Sequence, residues 1–131
     1  MSPHVDLTGV RPGDALPEVA ETIERLDLVR YAGASGDFNP IHIDPEFAKA
    51  VGLPGNILHG LYSMAQVARA ATQAGGGDPR ALKRLAVQFR GMGRPEVEIR
   101  VTGTVREERD GRFVLDTVAE QDGNQIVRNA E

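Results

Sequence analysis

Cysteine is absent from this chain, and with it disulfides, thiolate nucleophiles and cysteine-based zinc sites. Tryptophan is also absent and only 5% of the residues are aromatic, so aliphatic side chains must fill most of any core. No apolar run approaches the length of a membrane span, and Met1 to Val10 holds none of signal-peptide length. The expectation is a cytoplasmic protein that does not contact a membrane. Basic residues are outnumbered, 15 Lys and Arg against 19 Asp and Glu, and the net charge of −4 disfavours nonspecific binding to nucleic acid or anionic lipid.

What is present fits one folded unit. A chain of 131 residues can enclose one core, and 40% hydrophobic with 26% charged residues is a globular composition. There is no internal repeat, low-complexity tract or linker, so residues 1–131 are expected to form a single domain. The strand pattern still runs at Glu131, which suggests that a few more residues follow.

Arg11-Pro12-Gly13-Asp14 signals a turn, and an extended segment from about Leu16 to Leu26 is expected after it. Asp27 is placed to cap a short helix through Leu28, Val29, Tyr31 and Ala32 that stops at Gly36. A proline-stiffened loop, Asp37-Phe38-Asn39-Pro40, follows, and Asp44-Pro45 reads as the N-cap and first residue of another short helix ending near Gly52. The longest helical pattern begins at His59-Gly60 and ends at Gly75-Gly76-Gly77, with Leu61, Met64, Ala65, Ala68 and Ala71 at helical spacing. A β pattern comes next. Leu85, Val87 and Phe89 alternate with other residues, as do Val97, Ile99, Val101, Gly103 and Val105. Asp110-Gly111 and Asp122-Gly123 are hairpin signals leading to strands near Arg112–Glu120 and Asn124–Ala130. Helices followed by an antiparallel meander predict an α+β fold, with the alanine-rich helix lying across one sheet face. Open sheet edges need covering, so a homodimer or higher oligomer is expected.

Chemistry concentrates between Tyr31 and Gly60. Asp37 and His42 lie five positions apart across the rigid loop, near enough to converge on one water or one substrate proton. A carboxylate beside an imidazole suits acid–base work near neutral pH. Ile41 and Ile43 flank His42, so they are expected to anchor the segment in the core while His42 faces the other way. Other readings stand beside this one: Asp37 as a turn cap, His42 as a hydrogen-bonded structural histidine, Asp44 as an N-cap alone. His42, Asp44 and His59 could also ligate a metal, but their spacing matches no standard metal signature, and no metal or cofactor is expected. Gly60 opens the long helix, where free N–H groups and the helix dipole favour a developing negative charge; an ordinary helix start would look the same. Arg80, Lys83, Arg84, Arg90 and Arg94 form a basic cluster that could face a phosphate or a carrier, or simply be solvated.

The run Tyr31-Ala32-Gly33-Ala34-Ser35-Gly36-Asp37-Phe38-Asn39-Pro40-Ile41-His42-Ile43-Asp44, continued by Ala48, Gly52 and Ile57-Leu58-His59-Gly60, resembles the hydratase motif of the MaoC-like dehydratases. That family includes the (R)-specific enoyl-CoA hydratases. The resemblance implies a hot-dog fold, an antiparallel sheet wrapped around a long central helix, in dimers that join their sheets. It implies a hydro-lyase of fatty acid metabolism that interconverts trans-2-enoyl and (R)-3-hydroxyacyl thioesters of coenzyme A or acyl carrier protein. By the same resemblance Asp37 and His42 are the catalytic pair, the Gly60 N–H is the oxyanion donor, and Asn39 supports the loop. His59 and Ser63 are expected to support the loop or contact substrate. The chain departs from the family pattern after Phe89, where Arg90-Gly91-Met92-Gly93-Arg94-Pro95-Glu96 replaces a proline and Gly-Asp turn. The same fold also hosts acyl thioesterases and subunits of heteromeric dehydratases; the pairing of Asp37 and His42 beside Asn39-Pro40 favours the hydratase.

Overall fold

A computed structural model describes Leu7 and residues 9–131; most of the Met1–Val10 segment considered above lies outside them. Elements follow in the order β1 (Val19–Thr22), α1 (Arg25–Ser35), α2 (Pro45–Ala50), α3 (Gly60–Ala74), a single 3₁₀ turn, β2 (Gln88–Phe89), β3 (Glu98–Arg109), β4 (Arg112–Gln121) and β5 (Asn124–Ala130). The strands form one antiparallel sheet in the order β1-β3-β4-β5-β2, and α3 packs across it. This α+β arrangement is the hot-dog fold.

The two hairpins sit where the dipeptides place them. Asp110 and Gly111 have φ of 53° and 76°, Asp122 and Gly123 of 49° and 77°, and these left-handed pairs match the right-handed twist of paired strands. Along β3 the alternation buries Ile99, Val101 and Val105, until a register shift between Val105 and Glu107 turns the strand. Ile99 and Val101 join Val67 and Ala70 of α3, Ala119 of β4, and Ile126 and Val127 of β5 in the core.

Four expectations need correction. The extended segment yields a strand only over Val19–Thr22, and Asp27 is not the cap of α1. The N-cap is Glu24, whose N–H donates to the Asp27 carboxylate at 2.9 Å, so Asp27 acts from inside the first turn. The buried face of α3 is not Leu61, Met64, Ala65, Ala68 and Ala71; Ser63, Gln66, Val67 and Ala70 are buried, while Leu61 and Ala65 are exposed. Small apolar residues surround this helix, so their spacing does not choose a face. The strand predicted from Leu85 shrinks to Gln88–Phe89, although Ala86 and Glu131 still exchange two backbone hydrogen bonds at 2.9 Å. Asn129 lies between these pairings at a φ of 47°, and a left-handed residue interrupts a ladder.

The loop that departs from the family pattern is firmly held. Leu58 N–H donates to the Gly93 carbonyl at 2.8 Å, and a Cβ on Gly93 would come within 2.7 Å of the Leu58 side chain. Gln121 clamps the next residue, accepting from Arg94 N–H and donating to its carbonyl, both at 2.8 Å. This loop therefore fixes the strand-like residues that lead into His59.

Candidate active site

Two helix starts and one tight turn assemble the site. The turn after α1 is built by its own polar side chains. The Asp37 carboxylate accepts from Asn39 N–H at 3.2 Å, and the Asn39 side-chain oxygen accepts from Ile41 N–H at 3.2 Å. His42 N–H closes the turn on the Asn39 carbonyl at 3.0 Å. Asp44 then accepts from the N–H groups of Glu46 and Phe47, with Pro45 in the first helical position.

His42 is 7% exposed, whereas Ile41 and Ile43 are only half-buried. The expected anchoring is thus reversed: the histidine goes inside. It does so because its Nδ1–H donates to the Ile57 carbonyl at 2.8 Å. A carbonyl oxygen only accepts, so the neutral ring carries its proton on Nδ1 and leaves Nε2 bare. That Nε2 lies 3.7 Å from Oδ2 of Asp37, whose side chain is 51% exposed. The gap is too long for a direct hydrogen bond but short enough for one water to touch both groups.

Asn56, which the sequence did not single out, and Ile57, noted there only as part of the motif, supply the floor. Asn56 Nδ2 donates to the Ile41 carbonyl at 3.0 Å, and Ile57 N–H to the same oxygen at 3.3 Å. A buried asparagine inside an otherwise apolar approach to His59 was the available signal.

His59 is 1% exposed and is the N-cap residue of α3, though its side chain caps nothing. Its Nε2–H donates to the Asp37 carbonyl at 3.1 Å. Its ring stacks on His42, centroids 3.9 Å apart and planes at 22°, and packs on Tyr31 at 4.7 Å. Burial drives its pKa below the ordinary 6.5; the hydrogen bond to the Asp37 carbonyl opposes this and the neighbouring His42 reinforces it. Ser63 is buried one turn along α3, with its N–H on the His59 carbonyl at 3.2 Å. Gly60 begins the helix, so its N–H has no acceptor within α3. Its φ lies outside the left-handed range and a Cβ there would meet the Phe89 ring at an ordinary 3.5 Å. Neither backbone nor packing demands glycine at this position.

The metal set of His42, Asp44 and His59 does not form, because Asp44 is spent on capping α2. Asp37, His42 and His59 bring one ligand atom each within 4.8 Å of one another. In each ring, however, one nitrogen is committed to a carbonyl, Nδ1 of His42 to Ile57 and Nε2 of His59 to Asp37. The basic cluster is largely offset: Arg80 pairs with Asp78, Arg84 with Glu131 and Arg94 with Asp122. Two shallow surface depressions, one beside Thr102 and Arg128 and one at Gly76–Arg80, contain none of the candidate catalytic residues; Arg80 of the basic cluster lines the second.

Known proteins resemble this chain in architecture and in sequence. The family described as "MaoC like domain" matches residues 10–125. Mouse peroxisomal multifunctional enzyme type 2 is 31% identical over 121 residues, covering 92% of this chain and 16% of the mouse protein. Peroxisomal enoyl-CoA hydratase 2 of Arabidopsis thaliana is 46% identical over 56 residues, covering 42% of this chain and 18% of the plant protein. A solved MaoC-like dehydratase superposes with a TM-score of 0.85 at 33% identity, covering 95% of this chain and 40% of that one. The R-hydratase PhaJ1 of Pseudomonas aeruginosa, at 24% identity, gives the same TM-score of 0.85 over 96% of this chain and 82% of that one. The chain spans only 5% of the fatty acid synthase β subunit of Aspergillus oryzae and 23% of the dehydratase NIT22 of Ajellomyces capsulatus. With the family matched across most of its length, this chain belongs to the MaoC-like domains.

Proposed function

We propose that this domain is a hydro-lyase that adds water to a trans-2-enoyl thioester, giving the (R)-3-hydroxyacyl thioester, or runs the reverse dehydration. The observation that carries the reading is the 3.7 Å gap between the bare Nε2 of His42 and the Asp37 carboxylate, within a MaoC-like domain. A water in that gap has two bases for its protons. Its oxygen bonds to the β-carbon while one proton passes to Nε2. The alkene electron pair moves onto the thioester carbonyl as an enolate, whose oxygen the Gly60 N–H stabilises at the helix start. The imidazolium, still bonded to the Ile57 carbonyl through Nδ1–H, then returns a proton to the α-carbon. The net change is OH on one carbon and H on the other, with both residues restored. Asn39 supports this geometry through the turn.

The thioester is carried by coenzyme A or acyl carrier protein, and the reaction belongs to fatty acid metabolism. The names of the Arabidopsis enoyl-CoA hydratase 2, the solved MaoC-like dehydratase and the Aspergillus oryzae fatty acid synthase β subunit support this class. The direct test is the loss of enoyl-thioester absorbance with crotonyl-CoA and longer enoyl-CoAs. Hydration of at least one is expected; thiol release without loss of the alkene would instead identify a thioesterase.

A further inference from the structure

We propose that His59 is a positioning residue that holds the acid–base pair in register: its Nε2–H ties down the Asp37 main chain, and its ring face orients the His42 imidazole. The proposal rests on the assignment of Asp37 and His42 made above.

His59 fills neither role that its position would ordinarily ask for. As the N-cap of α3 it makes no side-chain cap, where serine, threonine or aspartate would. As a core side chain it is poorly chosen, because its Nδ1 is buried without a hydrogen-bond partner among the described residues. An unpaired buried acceptor lowers stability, and a phenylalanine ring would not incur that loss. What the side chain does touch is the candidate pair and one supporting ring. Nε2–H reaches the Asp37 carbonyl at 3.1 Å, one face covers His42 at 3.9 Å, and Tyr31 of α1 packs on the ring at 4.7 Å.

The tie to Asp37 matters because that residue's other hydrogen bonds among the described residues are local. Its N–H donates to Ser35 Oγ and its carboxylate accepts from Asn39 N–H, each two positions away. The bond from His59 spans 22 positions and fixes the loop to the start of α3, beside Gly60. His42 is likewise held by Ile57, just before α3, and by the His59 ring. One side chain thus sets the carboxylate, the imidazole and the helix start relative to each other. The ring must stay neutral to do this, since a second positive charge stacked on His42 would oppose its protonation. The Asp37 carboxylate, His42 and the Tyr31 hydroxyl are the titratable groups around it, and burial favours its neutral form.

Two substitutions separate the two functions. His59→Phe keeps a ring against His42 but loses the donor, and His59→Gln keeps an amide donor but loses the ring. Both should fold, with His59→Phe melting no lower than His59→Gln. On an enoyl thioester each is expected to lower kcat by roughly tenfold to 100-fold with little change in KM, the signature of misplaced reacting groups. The second readout is ¹⁵N NMR of the free protein, simplified by its 3 histidines. His59→Phe should perturb the Phe38 amide, which shares a peptide with the Asp37 carbonyl, and His59→Gln should disturb the His42 ring signals more. Folded variants with wild-type kcat, or with unaltered Phe38 and His42 signals, overturn the proposal. Should His59→Phe fail to fold, His59→Gln still tests the ring contact through kcat and the His42 signals, and unaltered values there overturn the proposal. If the wild type hydrates no enoyl thioester, the functional reading fails and the NMR comparison alone decides the role of His59.

Discussion

His42 donates its Nδ1 proton to the Ile57 carbonyl at 2.8 Å, and this bond determines what the opposite nitrogen can do. With Nδ1 committed, the neutral ring presents a bare Nε2 toward Asp37, and that atom can take a proton without any change of tautomer. The bond also joins the turn after Pro40 to the residues entering α3. The candidate base and the candidate oxyanion donor are therefore positioned by the same short stretch, Ile57 to Gly60.

Asp44 tests whether the second carboxylate of the motif is chemical or structural. It accepts from two N–H groups of α2 and takes no part in the Asp37–His42 gap. Asp44→Asn retains an acceptor and should leave turnover within about twofold, while Asp44→Ala should cost about 1 kcal/mol of stability by urea denaturation. A loss of turnover in Asp44→Asn as deep as that in Asp37→Asn would overturn the capping role.

Gly60 separates space from hydrogen bonding. A methyl group there meets Phe89 at an ordinary 3.5 Å, so Gly60→Ala should fold normally. If a thioester oxygen approaches the helix start, that methyl should still lower kcat roughly tenfold. Gly60→Pro removes the N–H, is tolerated in a first helical turn, and should cost about 100-fold or more. Normal turnover in folded Gly60→Pro takes this residue out of the mechanism.

Much of the fold was legible in the sequence because single residue types dictate it. Asp110-Gly111 and Asp122-Gly123 demand left-handed turns, and Asp44-Pro45 can hardly be anything but a helix start. The closeness of Asp37 and His42 followed from a short loop stiffened by Pro40. What was not legible depends on the backbone or on tertiary contact. The Ile57 carbonyl that orients His42 carries no residue-type signal. The stack of His59 on His42 joins positions 17 apart, and no local pattern reports it. The buried face of α3 is not legible from apolar spacing because it includes Ser63 and Gln66, Gln66 being satisfied by a 2.9 Å bond from Arg69.

His59 gives the stability of the protein a definite pH dependence. Its folded pKa lies below the ordinary 6.5, so as pH falls the unfolded chain binds this proton first. The stability contributed by the neutral ring is present above about pH 6.5 and is lost as pH falls from there through the folded value. Urea midpoints should decline more steeply between about pH 7 and 5 for the wild type than for His59→Gln. Equal slopes would show that His59 titrates normally in the fold.

The sheet edge points to self-association. Strand β2 is two residues long, Phe89 is 50% exposed, and Leu61, the neighbour of Gly60, is 64% exposed. An apolar edge of this kind is normally covered. Light scattering at micromolar concentration should give at least twice the mass of the chain, and a stable monomer would contradict the expected dimer.

The central claim is that Asp37 and His42 act as one unit on one water, and turnover of Asp37→Asn, His42→Ala and the double variant tests it most directly. Each single change should lower hydration of an enoyl thioester by about 10²–10⁴-fold while leaving the protein folded. The double variant should lose little more than the worse single one, because groups serving the same water are strongly non-additive. Near-normal turnover in folded His42→Ala, or losses that multiply in the double variant, would contradict the account.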